Sequence, residues 1–350
     1  MTIINDLEID NIHYIHNDIK EAIKNNKPLD TKLNVIIVIS NPCQYARRYV
    51  LAREFIQRFE KEESNVNLYV VELAYKLPGK KLQDFQVTDS KNKRHLQLTS
   101  SDPPLWHKES MIRIGIEKLL PPDWTNIAWV DADIEFDNVH WVEDTLKVLN
   151  GTRDVIQLFS HILDMDPYLD SMQIFSGFGY QYTHKRRYNS RGGINYYHPG
   201  MAWACTRKAY EQMGGIYDKS ILGSGDHNMA LALIGKGASS VNGLVTDDYK
   251  NSIVEFQNRC EGLKLGYISG IVRHHYHGSK ANRKYSDRWK ILVKHAYEPS
   301  KHITYDSNGL IIPTPECPKE MINDILTYFS ERNEDEGFME AMQSMAALAI

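Results

Sequence analysis

Runs of apolar, often β-branched residues alternate with amphipathic segments over the first half of the chain. The runs at 33–39, 67–73, 126–130 and 154–159 end abruptly at polar residues or proline, as buried strands do. Between them, apolar residues recur at helical spacing over 45–59, 111–120 and 139–149. Strand and helix alternating in this way predict an α/β protein: a doubly wound, mostly parallel sheet with helices on both faces.

The remaining segments are less regular. Residues 79–101 are polar and predict a loop or a small hairpin, while residues 161–198 are aromatic, glycine-rich and basic and predict a long loop of the kind that is usually functional. Residues 266–277 predict one strand that ends in histidines, and 321–332 a last helix. Near the N-terminus, Ile12, Ile15, Ile19 and Ile23 have helical spacing.

Composition narrows the class of protein. The chain has 350 residues, 42% hydrophobic and 25% charged, with a net charge of −4 that gives no general attraction to nucleic acid or anionic membrane. Its cysteines are far apart and form no C-x-x-C pair, which indicates free thiols of a reducing compartment. With no leader pattern and no run of about 18 apolar residues, we expect a cytoplasmic protein without a membrane segment.

The central apolar run, 126–130, stops at Asp131-Ala132-Asp133. Open α/β sheets bind ligands at the carboxyl ends of their strands. Residues two apart on a strand share a face, so Asp131 and Asp133 can serve one hard divalent cation, and a cation there can hold a diphosphate. The alternative is a solvated turn, since Asp-x-Asp on its own is common.

A second candidate lies in the turn Gly223-Ser224-Gly225-Asp226, where Asp226 begins a predicted helix. Its structural interpretation is an ordinary N-terminal helix cap. Its functional interpretation is a carboxylate that faces the substrate and takes a proton from an attacking hydroxyl.

Histidines follow the late strand at 274, 275 and 277. Three in four positions are hard to explain by packing and favour metal ligation. On an extended strand His275 and His277 share a face and His274 points away, so His277, with His275 beside it, is best placed to reach the cation. A basic cluster that follows could neutralise phosphate or form a solvated helix face: Lys280, Arg283, Lys284 and Arg288.

Residues at the carboxyl ends of the first two predicted strands form a third set of candidate site residues. Asn41, Pro42, Arg47 and Arg48 follow the first strand, and Glu72 lies near the end of the second, where they would border a nucleotide. The chain has no Gly-x-Gly-x-x-Gly and no Walker sequence, which weighs against a dinucleotide-binding protein or an NTPase.

Taken in order over residues 33–297, these motifs resemble those of GT-A glycosyltransferases, and more narrowly their galactosyltransferase-like and viral or bacterial family-2-like branches. The resemblance is carried by Asp131-Ala132-Asp133, Trp106-His107-Lys108-Glu109, Gly200-Met201-Ala202-Trp203, the Gly223–Asp226 turn, and His277-Gly278 with Asn282-Arg283-Lys284-Tyr285. It implies a GT-A-like fold and an enzyme that transfers a hexose from a UDP-sugar.

The resemblance also implies roles. Asp133 would bind Mn²⁺ (or Mg²⁺), Asp131 the metal or the ribose, a late histidine would complete the site, and Asp226 would deprotonate the acceptor, with inversion. The galactosyltransferase branch has Glu-Asp where this chain has Gly225-Asp226, which puts the sugar preference in question. Nucleotide-sugar contacts would come from Asn41, Pro42, Arg47, Glu72, Lys108 and Ala132, and acceptor contacts from His198 and Trp203.

Four segments follow from this assignment. Residues 1–32 are a helical extension, 33–160 the nucleotide-sugar half, 161–298 the acceptor and catalytic half, and 299–350 a helix and tail. The acceptor is a glycan, a protein or a modified nucleic acid. Three other functions stay open: a metal-dependent nucleotidyltransferase, a non-catalytic carbohydrate- or nucleic-acid-binding protein, and a DNA-base glycosyltransferase, the last suggested by basic runs at 91–95 and 184–187.

Overall fold

A computed structural model of the chain describes residues 30–186, 197–284 and 287–337, together with the backbone of two short strands before them. The predicted helix positions Ile12, Ile15, Ile19 and Ile23, the tip of the 161–198 loop, Tyr285 and the tail from 338 onward lie outside the described residues.

The described strands and helices follow one another along the chain. The strands are β1 (Ile3–Ile4), β2 (Leu7–Glu8), β3 (Leu33–Ser40), β4 (Val66–Tyr75), β5 (His95–Ser100), β6 (Asn126–Val130), β7 (Ile134–Phe136), β8 (Val155–Gln157), β9 (His161–Met165), β10 (Ser171–Gly177), β11 (Tyr197–His198), β12 (Ala202–Thr206), β13 (Leu265–Tyr267), β14 (Ile271–His274), β15 (Ile303–Tyr305) and β16 (Ile311–Pro313). The helices are α1 (Ala46–Glu62), α2 (Lys108–Leu119), α3 (Trp141–Leu149), α4 (Phe178–Thr183), α5 (Arg207–Met213), α6 (Gly225–Leu233), α7 (Asp247–Arg259), α8 (Asp287–Lys294), α9 (Pro299–His302) and α10 (Lys319–Glu331).

The larger sheet has seven strands in the order β13-β8-β12-β6-β3-β4-β5. All neighbouring pairs are parallel except those that β12 makes with β6 and β8. Successive residues of β3 face opposite sides: Val35 and Ile37 pack with Phe55 of α1, whereas Ile36 packs with Met111 of α2. Helices therefore cover both faces, which confirms the predicted α/β class with a mostly parallel sheet.

Helix α2 lies unusually close to this sheet. A Cβ added at Gly115 would come within 2.2 Å of Ile36 Cδ1 and 2.8 Å of Val71 Cγ2. A larger residue at 115 would displace these core side chains. The close approach fixes the first residue of the helix, Lys108, near the carboxyl ends of β3 and β6.

The smaller sheet has five strands in the order β11-β10-β9-β14-β7. Strand β14 pairs parallel with β9 and antiparallel with β7, which begins only four residues after β6 of the larger sheet ends. The two sheets therefore meet at the turn 131–133.

Three predicted elements differ from the structure. Residues 79–101 contain an edge strand, β5, which can stay polar because it has a partner on one side only. The predicted loop 161–198 contains β9, β10, α4 and β11. The single strand predicted at 266–277 is two strands, β13 and β14, which belong to different sheets. A backbone φ of +137° at Gly270 lies in the break between them.

Candidate functional site

A cavity of about 900 Å³ opens at the carboxyl ends of β3 and β6. Its wall includes the residues that follow these two strands, the start of α2, the start of α6 and the end of β14. This is the edge at which open α/β sheets bind ligands. Of the predicted site residues, those that line the cavity are Asn41, Pro42, Lys108, Asp131, Ala132, Asp133, His198, Asp226 and His277.

Asp133 faces two histidines across the cavity. Its Oδ2 lies 3.1 Å from His277 Nε2 and 3.9 Å from His274 Nε2, and the two Nε2 atoms are 3.3 Å apart. One ligand atom from each of the three side chains lies within 4.8 Å of the others. The second carboxylate oxygen, Oδ1, is buried and has no hydrogen-bond partner among the described residues. This geometry suits a metal ion, for which carboxylate oxygen and imidazole nitrogen are suitable ligands.

Charge at this cluster also favours a cation. Burial raises the pKa of Asp133, but the hydrogen bond with His277 and the charges nearby hold that pKa well below its usual range. Burial and the neighbouring Arg283 lower the pKa of His277. The carboxylate is therefore ionised and the imidazole neutral at pH 7, which are the forms that bind metal ions. Arg283 Nη2 lies 2.9 Å from His277 Nε2.

The histidines that meet Asp133 are not the pair predicted. His275 donates its backbone N–H to the Asp133 carbonyl oxygen, 2.8 Å away, and its Nε2 lies 3.6 Å from Glu135 Oε2. The prediction of His275 as a ligand assumed that β14 continues through His277. The strand ends at His274, so alternation of faces stops there, and residues three apart come to the same side.

Asp131 has a different partner. Lys108 Nζ lies 2.6 Å from Asp131 Oδ1 and 3.0 Å from Asp226 Oδ2, so one ammonium group joins two carboxylates. Burial lowers the pKa of Lys108, but the two aspartates raise it above its usual value, and the lysine stays charged. Among the described residues, Asp131 is not part of the metal-ligand group.

A segment after the last helix also forms part of the wall. Glu334 is 1% exposed; its carboxylate accepts hydrogen bonds from Arg48 at 2.6 and 2.8 Å and from Arg332 at 2.8 Å. Its Oε2 lies 3.6 Å from His277 Nδ1. Burial raises the pKa of Glu334, but the arginines hold it well below its usual range. Nothing in the local pattern around 334 distinguishes it from a charged surface segment.

The neighbouring Asp335 contacts the start of α1. Its carboxylate accepts the backbone N–H groups of Ala46 at 3.1 Å and Arg47 at 2.8 Å, two of the donors that a helix leaves unpaired at its N-terminus. The segment is thereby fixed against the exit of β3.

Besides His275, three residues predicted to contact the nucleotide sugar or the acceptor do not line the cavity. The Glu72 carboxylate accepts hydrogen bonds from the backbone N–H groups of residues 86–88 and from Thr88 Oγ1, so it anchors that loop. Trp203 is fully buried and donates to the Pro199 carbonyl oxygen. Arg47 donates to the Tyr276 carbonyl oxygen, and the cavity is lined by Arg48 instead.

Of the predicted residues at the cavity, Asn41 also stabilises a turn and His198 has a lowered pKa. The Asn41 side chain donates to the Tyr45 carbonyl oxygen and accepts from the Tyr45 N–H, which holds the turn before α1. Burial lowers the pKa of His198 to about 3, so its imidazole is neutral.

The cysteines Cys43, Cys205, Cys260 and Cys317 are all free, as the sequence indicates. Among the described residues, no helix is long and apolar enough to cross a bilayer.

No protein-family model matches the chain, and no curated protein matches it. Among solved structures, the chain is similar to a mutant of Drosophila β1,4-galactosyltransferase 7 in complex with manganese, UDP-Gal and xylobiose. The identity is 10% and the TM-score 0.37, over 84% of this chain and 98% of the other.

Proposed function

We propose that the protein is a metal-dependent glycosyltransferase that moves a hexose from a nucleoside-diphosphate sugar, with UDP as the nucleotide, to a hydroxyl group. The observation that carries the proposal is the convergence, in one cavity, of a metal-ligand group, a half-buried lysine and a carboxylate. Asp133, His274 and His277 would hold the cation, and Lys108 and Asp226 stand beside them.

Transfer of a sugar from a nucleoside diphosphate requires that the negative charge developing on the diphosphate be stabilised. Cleavage of the bond between an anomeric carbon and a diphosphate leaves charge on phosphate, and a divalent cation held by Asp133, His274 and His277 would supply the opposite charge there. Two imidazole ligands favour a first-row transition ion over Mg²⁺. We propose Mn²⁺ as that ion.

Five basic side chains also line the cavity, and three of them are paired with carboxylates: Arg48 with Glu334, Lys108 with Asp131 and Asp226, and Lys280 with Asp164. The other two, Arg283 and Arg288, could contact phosphate.

Asp226 would act on the acceptor. Its carboxylate faces the cavity at the start of α6, held at 3.0 Å by Lys108, where it can remove the proton of an incoming hydroxyl. Direct attack by that hydroxyl inverts the anomeric centre and needs no covalent intermediate. In this proposal residues 33–160 bind the donor and 161–298 the acceptor, and the enzyme works in the cytoplasm.

A panel of nucleotide sugars, read by released nucleoside diphosphate with and without Mn²⁺, tests the proposal. We expect slow hydrolysis of one UDP-hexose with Mn²⁺, and none after chelation by EDTA. Diphosphate released from free NTPs but from no nucleotide sugar would contradict transfer of a sugar and point to a nucleotidyltransferase. If the protein binds a UDP-sugar but transfers the sugar neither to a glycan nor to water, it is a non-catalytic binding protein.

A further inference from the structure

A buried carboxylate stands behind one of the two histidines. Asp164 Oδ1 lies 2.8 Å from His274 Nδ1, and the two residues are 5% and 4% exposed. They face one another in the parallel register of β9 and β14, so both side chains project from strands of a single sheet. The pair is therefore fixed by the backbone on both sides.

This hydrogen bond determines which nitrogen of His274 carries the proton. A neutral imidazole has one N–H, and a carboxylate can only accept, so the proton lies on Nδ1. Nε2 is then left with its lone pair. That atom is 3.3 Å from His277 Nε2 and 3.9 Å from Asp133 Oδ2, and it points into the ligand group.

The other oxygen of Asp164 is held as well. Lys280 forms an ion pair with Asp164 Oδ2, and its ammonium group lies 4.3 Å from the centre of the Phe175 ring. The carboxylate consequently cannot turn away from His274 without losing a charged partner.

The second histidine of the ligand group, His277, lacks such a partner at Nδ1 among the described residues. His277 Nδ1 makes no hydrogen bond among the described residues, and Glu334 Oε2, at 3.6 Å, is beyond hydrogen-bonding distance. At Nδ1, only His274 has a hydrogen bond of normal length among the described residues; His277 is instead contacted at Nε2 by Arg283, 2.9 Å away.

We propose that Asp164 is a positioning residue that holds His274 in the Nδ1–H form and so presents Nε2 to a divalent cation. The inference rests on the proposed metal site. Partners of this kind typically contribute 10-fold to 100-fold to metal affinity, because they fix both the tautomer and the orientation of the ring.

The first test needs no variant. In the metal-free wild-type protein, long-range ¹H–¹⁵N correlation spectra of the histidine rings should show His274 with its proton on Nδ1. A proton on Nε2 would overturn the proposal, whatever the metal affinity.

The second test is calorimetric titration of Mn²⁺ into the full chain without any nucleotide sugar. The Asp164→Asn side chain keeps its size, and because the Lys280 ammonium group can only donate, the amide oxygen stays with Lys280 and the NH2 group faces Nδ1. Donation from that NH2 group moves the ring proton to Nε2 and blocks the ligand atom. We expect affinity to fall about 10-fold to 100-fold, with the tautomer change visible by NMR. The matched control is Glu135→Gln, which alters the carboxylate near His275, the histidine turned away from the site; its Mn²⁺ affinity should equal that of the wild type.

The outcomes separate the two proposals. If the wild type binds no divalent cation, the proposed metal-dependent function fails. If the wild type binds Mn²⁺ and Asp164→Asn binds it equally well, or binds it less well with the tautomer unchanged, the positioning role of Asp164 fails and the metal site stands.

Discussion

Asp131 and Asp133 are separated by a single residue, yet their side chains have different partners. Asp131 still follows the larger sheet, because its N–H donates to the Met201 carbonyl oxygen beside β12, and its side chain is paired with Lys108. Asp133 already belongs to the smaller sheet, because its carbonyl accepts from His275, and its side chain meets histidines. One short motif thus joins two sheets and places one aspartate beside a lysine and the other beside the histidines of the proposed metal site.

From this comparison we expect that some substitutions reduce turnover without changing metal affinity. Asp226→Asn keeps its shape but loses the proton acceptor on the Lys108 side. We expect turnover to fall by about 10²-fold to 10⁴-fold, while Mn²⁺ affinity measured by calorimetry stays at the wild-type value. A parallel loss of Mn²⁺ affinity would show that Asp226 is a ligand, and unchanged turnover would remove it from the reaction. Asp137→Asn, which alters a surface pair with Arg273, is the control.

The Asp133 side should behave in the opposite way. Asp133→Asn removes the only carboxylate of the ligand group, so we expect Mn²⁺ affinity to fall by more than about 100-fold, since even partners of a ligand are worth 10- to 100-fold. Asp131→Asn should leave that affinity within about 3-fold of the wild type, because Asp131 contacts Lys108 and not the cluster. Equal losses in the two variants would mean that both aspartates bind the metal.

The histidines provide a finer test of the same comparison. His274→Ala should weaken Mn²⁺ binding by about 10-fold to 100-fold, and His275→Ala should not change it. Both variants remove an imidazole from adjacent positions, so a general effect on folding would appear in both melting temperatures. If His275→Ala weakens Mn²⁺ binding and His274→Ala does not, the ligands are His275 and His277, the pair that an extended strand predicts.

The histidine register shows where sequence reasoning stops. The run 127–130 ending at aspartate identifies a buried strand and its carboxyl end, because burial and alternation leave local patterns. Strand β14 ends at His274 and no local pattern marks that end, so an extended strand through His277 was assumed and His275, instead of His274, was paired with His277. Likewise, adjacent residues at the start of a helix point about 100° apart, and spacing alone did not distinguish Arg48 from Arg47.

Contacts distant along the chain were missed for a related reason. Glu334 pairs with Arg48, and Asp164 with His274, at separations of 286 and 110 residues. Each is ordinary in its own segment, and its task arises only when strands and helices pack. The fold class and the central carboxylates could therefore be predicted from the sequence. The carboxylates that pair with Arg48 and His274 could not.

The smallest expected effect concerns a third carboxyl group, on the Lys108 side. Glu109 is 2% exposed, and burial, with the Asp226 charge nearby, raises its pKa to about 8 from 4.5. Glu109 is thus protonated in the folded protein at neutral pH and ionised in the unfolded chain. Ionisation in the unfolded state favours unfolding, so this group should lower the free energy of unfolding by up to ~1.4 kcal/mol per pH unit as pH rises from 4.5 towards 8.

Glu109→Gln removes that titration without removing the polar end of the side chain. Urea unfolding of the wild type and Glu109→Gln between pH 5 and 8 should show stability of the wild type falling relative to the variant as pH rises. Glu117→Gln, on the exposed face of the same helix, should follow the wild type. A constant difference between wild type and Glu109→Gln across that range would mean that Glu109 is ionised in the folded protein, and the Lys108 side would then carry three carboxylate charges instead of two.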